Sequence, residues 1–252
     1  MAVLDAFRTS GCDVLGVTEL ARRTALPKTT AHRLAARLVA TGMLERHGSA
    51  FELGLRLFEL GALVPRQRVL RDAAQGVMAE LRQSTGHTVH LAIRDGPDVM
   101  YIEILSGPDA PVTPVHVGGR WPLHATAVGK AILGFSSREE VGTFLRTDLA
   151  RVSRRTVSAP GLLGAELATV RRTGSAFDNE ESQAGLVCVA SPILDAHGVV
   201  ASLSLSGWST RMRLAQLAGT VQEAAAVISR RLCPDPGESS ARTVRGDGRR
   251  KP

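Results

Sequence analysis

The residues best suited to chemistry in this sequence lie on one short basic segment. Between Arg22 and Arg46 there are six cationic residues and one anionic residue. Within it, residues 27–39 have apolar side chains at i, i+3, i+4 and i+7, which predicts a helix with one narrow buried stripe. A cationic, hydroxyl-bearing outer face suits the phosphates and base edges of a DNA major groove. The expected DNA contacts on this helix are Lys28, Thr29, Thr30, His32, Arg33 and Arg37.

Short elements on both sides of this segment would position it. Residues 17–24 have helical spacing, and Pro27 suits the first position of the next helix, so the two helices predict a helix-turn-helix. Gly42 can end the second helix in a left-handed conformation, and two short strands around a Gly-containing turn then predict a wing. Arg46, near the tip of the wing, would reach a flanking phosphate or the minor groove. An ordinary helical hairpin is the alternative interpretation.

Cysteine and histidine side chains suggest a second kind of chemistry, which their spacing does not support. The three cysteines are far apart, so no pair has metal-ligand spacing, and a reduced, cytoplasmic compartment is the simplest interpretation. They are Cys12, Cys188 and Cys233. His87 and His90 are three residues apart on a predicted strand and would point to opposite faces. We interpret His124 as a structural hydrogen-bonding residue, and we expect no metal, no catalytic site and no cofactor.

Composition and charge restrict the classes of function. The chain has 252 residues, enough for one large or two modest domains, and its 44% hydrophobic and 22% charged residues are ordinary for a globular protein. A net charge of +7 favours a polyanionic partner. Aromatic residues make up only 4%, so the cores must be aliphatic and base-stacking platforms for single strands are not expected. Neither a signal peptide nor an apolar run of about 18 residues is found.

The rest of the chain has the element order of an α+β protein. We expect residues 10–16 to form a loop. After Gly86, strand-like alternation leads to a strand-like piece at 111–117, a break at 118–122, a helical middle, more strands and a final helix. Residues 234–252 are polar and rich in Pro, Gly and Arg, which predicts disorder. The expected domains are a winged helix-turn-helix at 1–64, a linker helix at 65–85, a GAF-like effector-binding domain at 86–233 and a disordered tail at 234–252.

Several long motifs in order resemble the IclR family of bacterial transcriptional regulators. The DNA-binding part reads LARRTALPKTTAHRLAARLVATGMLER, and the sensor begins at GHTVHLA. Within the sensor are GGRWPLHATAVGKAIL, FDNEESQAGLVCVASPI and SLSLSG. The resemblance covers nearly all of residues 2–233. It implies a winged helix-turn-helix joined to a GAF-like effector domain, a dimer or tetramer, and repression or activation that a small metabolite releases.

The resemblance also implies an effector pocket. Backbone N–H groups at Thr126, Ala127 and Val128 match those that hold the effector's carboxylate. Asp178 matches the family's acidic pocket residue, and Cys188 matches the pocket cysteine. Ser204 and Ser206 match the paired hydroxyls, and Trp121 and Leu186 match the apolar wall. Trp121 is bulkier than the aliphatic residue at this position in members that bind small metabolites, which argues against an effector as small as glyoxylate or pyruvate.

The residues themselves give independent support for this pocket. Ser204 and Ser206 are two apart on a predicted strand and face the same side. A helix that begins near Ala125 offers free N–H groups and a positive dipole end to an anion. An ionised Asp178 would repel an anionic ligand, so it should accept a hydrogen bond from a hydroxyl, a water or a backbone amide. A turn or capping role for Asp178 is the alternative.

These features predict a ligand-responsive, sequence-specific DNA-binding regulator. Its expected form is a repressor that binds a roughly palindromic operator as a homodimer or tetramer and responds to a small carboxylate. Two alternatives are open: an enzyme that uses Cys188 or a bound metal, and a metabolite-binding module whose helix-turn-helix contacts proteins rather than DNA.

Overall fold

Four helices and a three-stranded sheet form the first of two units, which spans residues 1–68. The computed structural model describes residues 1–8, 12–111, 113 and 115–233, so the tail predicted at 234–252 lies outside the described residues. The helices are α1 (Ala2–Arg8), α2 (Val17–Thr24), α3 (Lys28–Ala40) and α4 (Leu55–Ala62). The strands are β1 (Val14–Gly16), β2 (Leu44–His47) and β3 (Ala50–Leu53), paired antiparallel in the order β1-β3-β2.

The helix-turn-helix and wing lie where the sequence predicts them, with two corrections. Helix α3 begins at Lys28, and Pro27 precedes it in an extended conformation. The loop expected at 10–16 is wrong for its last three residues, because Leu15 is buried opposite Phe51 and its strand pairs with β3. Three residues with one buried side chain are too few to show strand alternation in the sequence.

A small core holds the first unit together. Leu20 of α2, Ala31 and Ala35 of α3, and Leu44 and Phe51 of the wing are all at most 1% exposed and pack in one cluster. Two alanines at i and i+4 make α3's buried stripe narrow, so α3 can lie close to α2 while most of its surface faces outward. The predicted stripe is confirmed, with Leu34 and Leu38 half-buried at its sides.

The second unit begins at Val69 and contains a six-stranded antiparallel sheet in the order β6-β5-β4-β9-β8-β7. Its strands are β4 (Thr88–Asp95), β5 (Asp98–Leu105), β6 (Arg120–Pro122), β7 (Ala176–Asn179), β8 (Leu186–Asp195) and β9 (Gly198–Trp208). Its helices are α5 (Pro65–Thr85), which starts before the unit boundary, α6 (Ala127–Phe135), α7 (Arg138–Phe144), α8 (Pro160–Thr173) and α9 (Leu214–Leu232). A single 3₁₀ turn, Leu123–Ala125, precedes α6.

Helices cover both faces of this sheet. One face packs against α5 and α9, with Met78, Leu203 and Val221 at its centre. The opposite face packs against α6 and α8, with Leu133 and Leu163 fully buried. The predicted α+β class is therefore confirmed. No helix among the described residues is long and apolar enough to cross a bilayer.

The edge of the sheet beside β5 differs from the prediction. No strand forms at the described residues between 111 and 117, and the predicted break at 118–122 instead contains β6. Gly118 has a φ of +82°, and its N–H donates to the carbonyl of Tyr101 at 2.7 Å. This left-handed turn brings Trp121 into register with Val99 of β5. Glycine supplies such a turn without steric cost.

Candidate functional site

The outer face of α3 is the candidate nucleic-acid interface. Five of the six predicted contact residues on this helix are exposed, and Thr30 is half-buried. Lys28 and Thr29 lie in the first turn, where the helix dipole is positive and backbone N–H groups lack intrahelical acceptors. The buried stripe and these side chains occupy opposite sides of the helix, so α3 can contact DNA without disturbing the core.

The cations of the basic segment fall into two groups, those that pair with a carboxylate and those that do not. Glu19 of α2 accepts hydrogen bonds from Arg22 at 2.6 Å and Arg23 at 2.5 Å, and these two guanidinium groups lower the pKa of Glu19 to about 2. Within the described part of the chain, Lys28, Arg33 and Arg37 form no ion pair. Arg22 and Arg23 share the single carboxylate of Glu19, whereas the three cations of α3 have none among the described residues, so most of the uncompensated positive charge lies on α3.

The wing supports the same surface. Arg46 lies on β2 beside Phe51, with its guanidinium carbon 5.4 Å from the ring centroid, rather than at the Gly48–Ser49 turn. The ring of His32 meets the same Phe51 edge-on at 6.3 Å. Phe51 therefore contacts one predicted DNA-binding side chain on the helix and one on the wing. Arg46 is therefore oriented by its place on β2 opposite Phe51, and not by the turn at the tip of the wing.

A cavity in the second unit is the candidate effector site. Its atom-free volume is about 420 Å³, including the part open to solvent. Eight of the nine predicted pocket residues line it: Trp121, Thr126, Ala127, Val128, Asp178, Leu186, Cys188 and Ser204. Ser206 does not line the cavity, because it lies one pair further along β9, between Thr88 and Cys188. The remaining lining residues are His90, Tyr101, Thr113, Val115, Ser182 and Gln183.

The N-terminus of α6 provides backbone donors at one end of the cavity. The helix starts at Ala127, two residues later than predicted, because Thr126 is its N-cap and accepts from the N–H of Gly129 at 3.0 Å. The N–H groups of Ala127 and Val128 then have no intrahelical acceptor. A Cβ at Gly129 would lie 2.1 Å from the carbonyl oxygen of Leu123, so only glycine permits this close packing. The two free amides are thus held rigidly at the positive end of the helix dipole.

Asp178 closes the cavity from β7. Its carboxylate accepts hydrogen bonds from the Ser182 hydroxyl at 2.5 Å and from the N–H groups of Glu181 and Ser182 at 2.7 and 3.3 Å. The expectation that it accepts from a hydroxyl and backbone amides is confirmed, and so is its role in the turn. Burial nevertheless raises the pKa of Asp178 to about 6, because desolvation outweighs these hydrogen bonds and the nearby Lys130 ammonium.

Behind Asp178 lies a buried ion cluster that the sequence reasoning missed. Lys130 of α6 is fully buried, and its Nζ lies 2.6 Å from Oε1 of Glu166 and 2.6 Å from Oε1 of Glu181. The cluster joins α6, α8 and the turn after β7. The motif GKAIL gave no signal, since a lysine four residues after a helix N-cap is ordinarily solvated.

Neutral polar groups line the sheet side of the cavity. His90 Nδ1 lies 3.3 Å from the Ser204 hydroxyl, and the His90 ring stands edge-on to Tyr101 at 5.4 Å. Burial lowers the pKa of His90 to about 4 and raises that of Tyr101, so both are uncharged at neutral pH. The register of β4 with β9 pairs His90 with Ser204, and this register, not a local sequence pattern, is what places His90 at the cavity.

The arrangement suits binding rather than covalent chemistry. Burial, with a contribution from Asp178, raises the pKa of the Cys188 thiol well above its ordinary value, so the nucleophilic thiolate is scarce. Among the described residues, no group of three His, Cys, Asp or Glu side chains could hold a metal ion. His124 donates its Nε2–H to the carbonyl of Ala150 at 2.9 Å, and its ring lies against Phe144, as expected of a structural hydrogen-bonding residue.

Comparison with known proteins identifies both units. Residues 63–230 match the family model for the bacterial transcriptional regulator IclR C-terminal domain, and residues 1–48 match the IclR helix-turn-helix domain. The regulator XynR of Escherichia coli is 32% identical over 92% of this chain and 94% of its own. The repressor AllR of E. coli is 33% identical over 84% of this chain and 79% of its own.

A solved structure resembles the chain along almost its whole length. It is that of an IclR homologue of Microbacterium hydrocarbonoxydans in complex with 4-hydroxybenzoate. The two share 30% sequence identity, with a TM-score of 0.85, over 92% of this chain and 96% of the other.

Proposed function

The chain belongs to the IclR family of bacterial transcriptional regulators, and from this premise we propose that it is a cytoplasmic repressor released from its operator by a small carboxylate. Its family makes it a ligand-responsive, DNA-binding regulator. Repression is proposed because the relative AllR is named a repressor. We propose an operator with two half-sites related by a dyad, since a symmetric dimer presents two copies of α3.

The main support for the DNA-binding role is that the cations of α3 are exposed and unpaired among the described residues. Lys28, Arg33 and Arg37 are exposed and make no ion pair with the described residues, whereas Arg22 and Arg23 are held by Glu19. A cation that is not already paired gains most from a phosphate or a guanine edge. We propose Lys28, Thr29 and Thr30 of the first turn, with His32, Arg33, Arg37 and Arg46, as the contact residues.

The DNA-binding proposal is tested with Arg33→Ala and a matched control, Arg22→Ala. Both remove an exposed arginine, but Arg22 is already bound to Glu19. An operator is first selected by the wild-type protein from random duplexes and then used in gel shifts. Arg33→Ala should lose about 1–3 kcal/mol of binding free energy if it reads a base, whereas Arg22→Ala should change little. Equal losses in both variants, or selected duplexes without a shared sequence, would sink the proposal.

A second copy of the chain is the proposed partner of α4. This helix has no buried residue: Leu55 and Phe58 are 64% and 71% exposed, and Leu63, directly after the helix, is 65% exposed. Contiguous large apolar side chains are rarely left in water by a functional protein. Pairing of two copies through this face would supply the two recognition helices that a dyad-symmetric operator requires.

The effector is proposed to be a carboxylate bound at the N-terminus of α6. Two free amides, the dipole of α6 and the neutral lining groups His90 and Tyr101 favour one anionic group in a cavity whose lining side chains, apart from Asp178, are uncharged. The homologue of M. hydrocarbonoxydans holds an aromatic carboxylate, 4-hydroxybenzoate, which we carry over as the first compound to test. An acid of that size also agrees with the bulk of Trp121 at the cavity wall.

A thermal-shift screen tests the effector class. The panel contains glyoxylate, pyruvate, succinate, benzoate, 4-hydroxybenzoate and, as a probe without a carboxylate, 4-hydroxybenzyl alcohol. An acid at 100 times its Kd stabilises the folded chain by about 2.7 kcal/mol, which raises the Tm by roughly 5–10 °C. The same acid should release the operator in the gel shift. A panel in which the alcohol binds as well as the acids would refute a carboxylate effector.

A further inference from the structure

One buried hydrogen-bond donor in the candidate effector site has no acceptor. The indole Nε1 of Trp121 is shielded from solvent and makes no hydrogen bond with any residue that the structure describes. An indole N–H can only donate. Buried donors in native proteins are nearly always satisfied, so an unpaired one at a binding cavity points to a ligand acceptor.

Trp121 lies at the boundary between two cavities. Its backbone is fixed on the edge strand β6 opposite Val99, and its ring packs on the core beneath α6. It lines the inner cavity together with Ala127 and Val128, and it also lines an outer cleft beside Arg154 and Arg155. An acid in the inner cavity would therefore have Trp121 as part of its wall.

The other tryptophan provides an internal comparison. Trp208, on β9, donates its indole N–H to the backbone carbonyl of Asp109 at 3.0 Å. The chain contains only these two tryptophans. The fold thus satisfies one indole within the protein and leaves the other, at a cavity, without an acceptor among the described residues.

We propose that Trp121 determines effector specificity by donating its indole N–H to an oxygen of the bound acid. This inference rests on the carboxylate effector of the proposed function, and it replaces the purely apolar role that the sequence suggests for Trp121. A phenylalanine or leucine at this position would keep the apolar wall but lose the donor. The cavity would then discriminate less between acids and neutral compounds of similar shape.

The inference is tested by calorimetric titration of 4-hydroxybenzoate and benzoate into the wild-type protein, Trp121→Phe and Trp208→Phe. Trp121→Phe keeps an aromatic ring, and its affinity for both acids should fall about tenfold, the usual effect of one lost hydrogen bond to a charged acceptor. Trp208→Phe, which removes an indole already satisfied within the protein, should bind both acids as the wild type does. Affinity for 4-hydroxybenzyl alcohol, whose neutral hydroxyl is a weaker acceptor than a carboxylate, should fall less in Trp121→Phe than the affinity for the acids does.

A spectroscopic measurement covers the case in which Trp121→Phe does not fold. In Trp208→Phe labelled with ¹⁵N-tryptophan, the single indole resonance belongs to Trp121, and its proton should move downfield when 4-hydroxybenzoate is added. Acids that bind without moving this resonance, or that bind wild type and Trp121→Phe equally, overturn the role of Trp121 and leave the carboxylate effector intact. Failure of both acids to bind the wild type overturns the effector class and this inference with it.

Discussion

Replacement of Asp178 by asparagine should stabilise the second unit at neutral pH and have no effect at acidic pH. Asp178 is 1% exposed, and burial raises its pKa from 3.8 to about 6. The folded chain therefore keeps this proton to about pH 6, whereas the unfolded chain loses it near pH 4. Between these values the folded state binds more protons, so the free energy of unfolding falls as the pH rises.

The size of the effect follows from the two pKa values. A tenfold change in a proton-binding constant is worth about 1.4 kcal/mol, so moving this pKa from 3.8 to about 6 costs the ionised folded state about 3 kcal/mol at pH 7. Asparagine resembles the neutral acid: its carbonyl oxygen can accept from the N–H of Glu181, and its amide can donate to the Ser182 hydroxyl. We expect Asp178→Asn to raise the free energy of unfolding by at most about 3 kcal/mol above pH 7.

Urea denaturation followed by tryptophan fluorescence measures this difference. Both tryptophans belong to the second unit, so the signal reports the unfolding of that unit. His90 also titrates in this range, but its contribution is common to both proteins and cancels in the difference. Asp109→Asn, the same change in a side chain that is 82% exposed, is the control. The reasoning fails if Asp178→Asn gains nothing at pH 7.5, or gains as much at pH 4 as at pH 7.5.

Two further predictions concern the buried cluster and α4. Lys130→Met should lower the free energy of unfolding by about 3–5 kcal/mol, because Glu181 is left buried without its cation. Adding Glu181→Gln to this variant should restore part of the lost stability. Urea denaturation that shows additive losses for the two changes would contradict this coupling. Phe58→Glu should convert the proposed dimer to a monomer in analytical ultracentrifugation and abolish binding to a two-half-site operator, whereas unchanged sedimentation would exclude α4 from the interface.

The sequence predicted most of the DNA-binding unit because its signals are local. The buried stripe of α3 is visible within about two helical turns of sequence, and the turn of the wing is visible within one hairpin. Strand β1 was missed because its pairing with β3 joins residues far apart in the chain. The pairing of Arg22 and Arg23 with Glu19 follows from i+3 and i+4 spacing and could have been predicted.

Only part of the candidate effector site was predicted, because some of its residues are brought together by contacts between distant parts of the chain. Residues in recognisable motifs, such as Thr126 and Asp178, line the cavity, and their positions came from the family resemblance. Strand alternation alone could not separate Ser204 from Ser206, because both face the same side and only the extent of the cavity along β9 excludes Ser206. His90 depends on the register of β4 with β9, which no local pattern reveals.

The buried cluster constrains how an effector could act on this protein. Lys130 belongs to the helix whose N-terminus is the proposed carboxylate site, and Glu181 belongs to the turn that holds Asp178. Separating these two walls would break a buried ion pair, which costs about 3–5 kcal/mol. Allosteric coupling free energies are typically about 1–3 kcal/mol. We therefore expect an effector to act through a wall that the cluster does not hold, because movement of that wall leaves the buried ion pair intact. Strand β6 is such a wall, since it is three residues long, lies at the edge of the sheet and pairs only with β5.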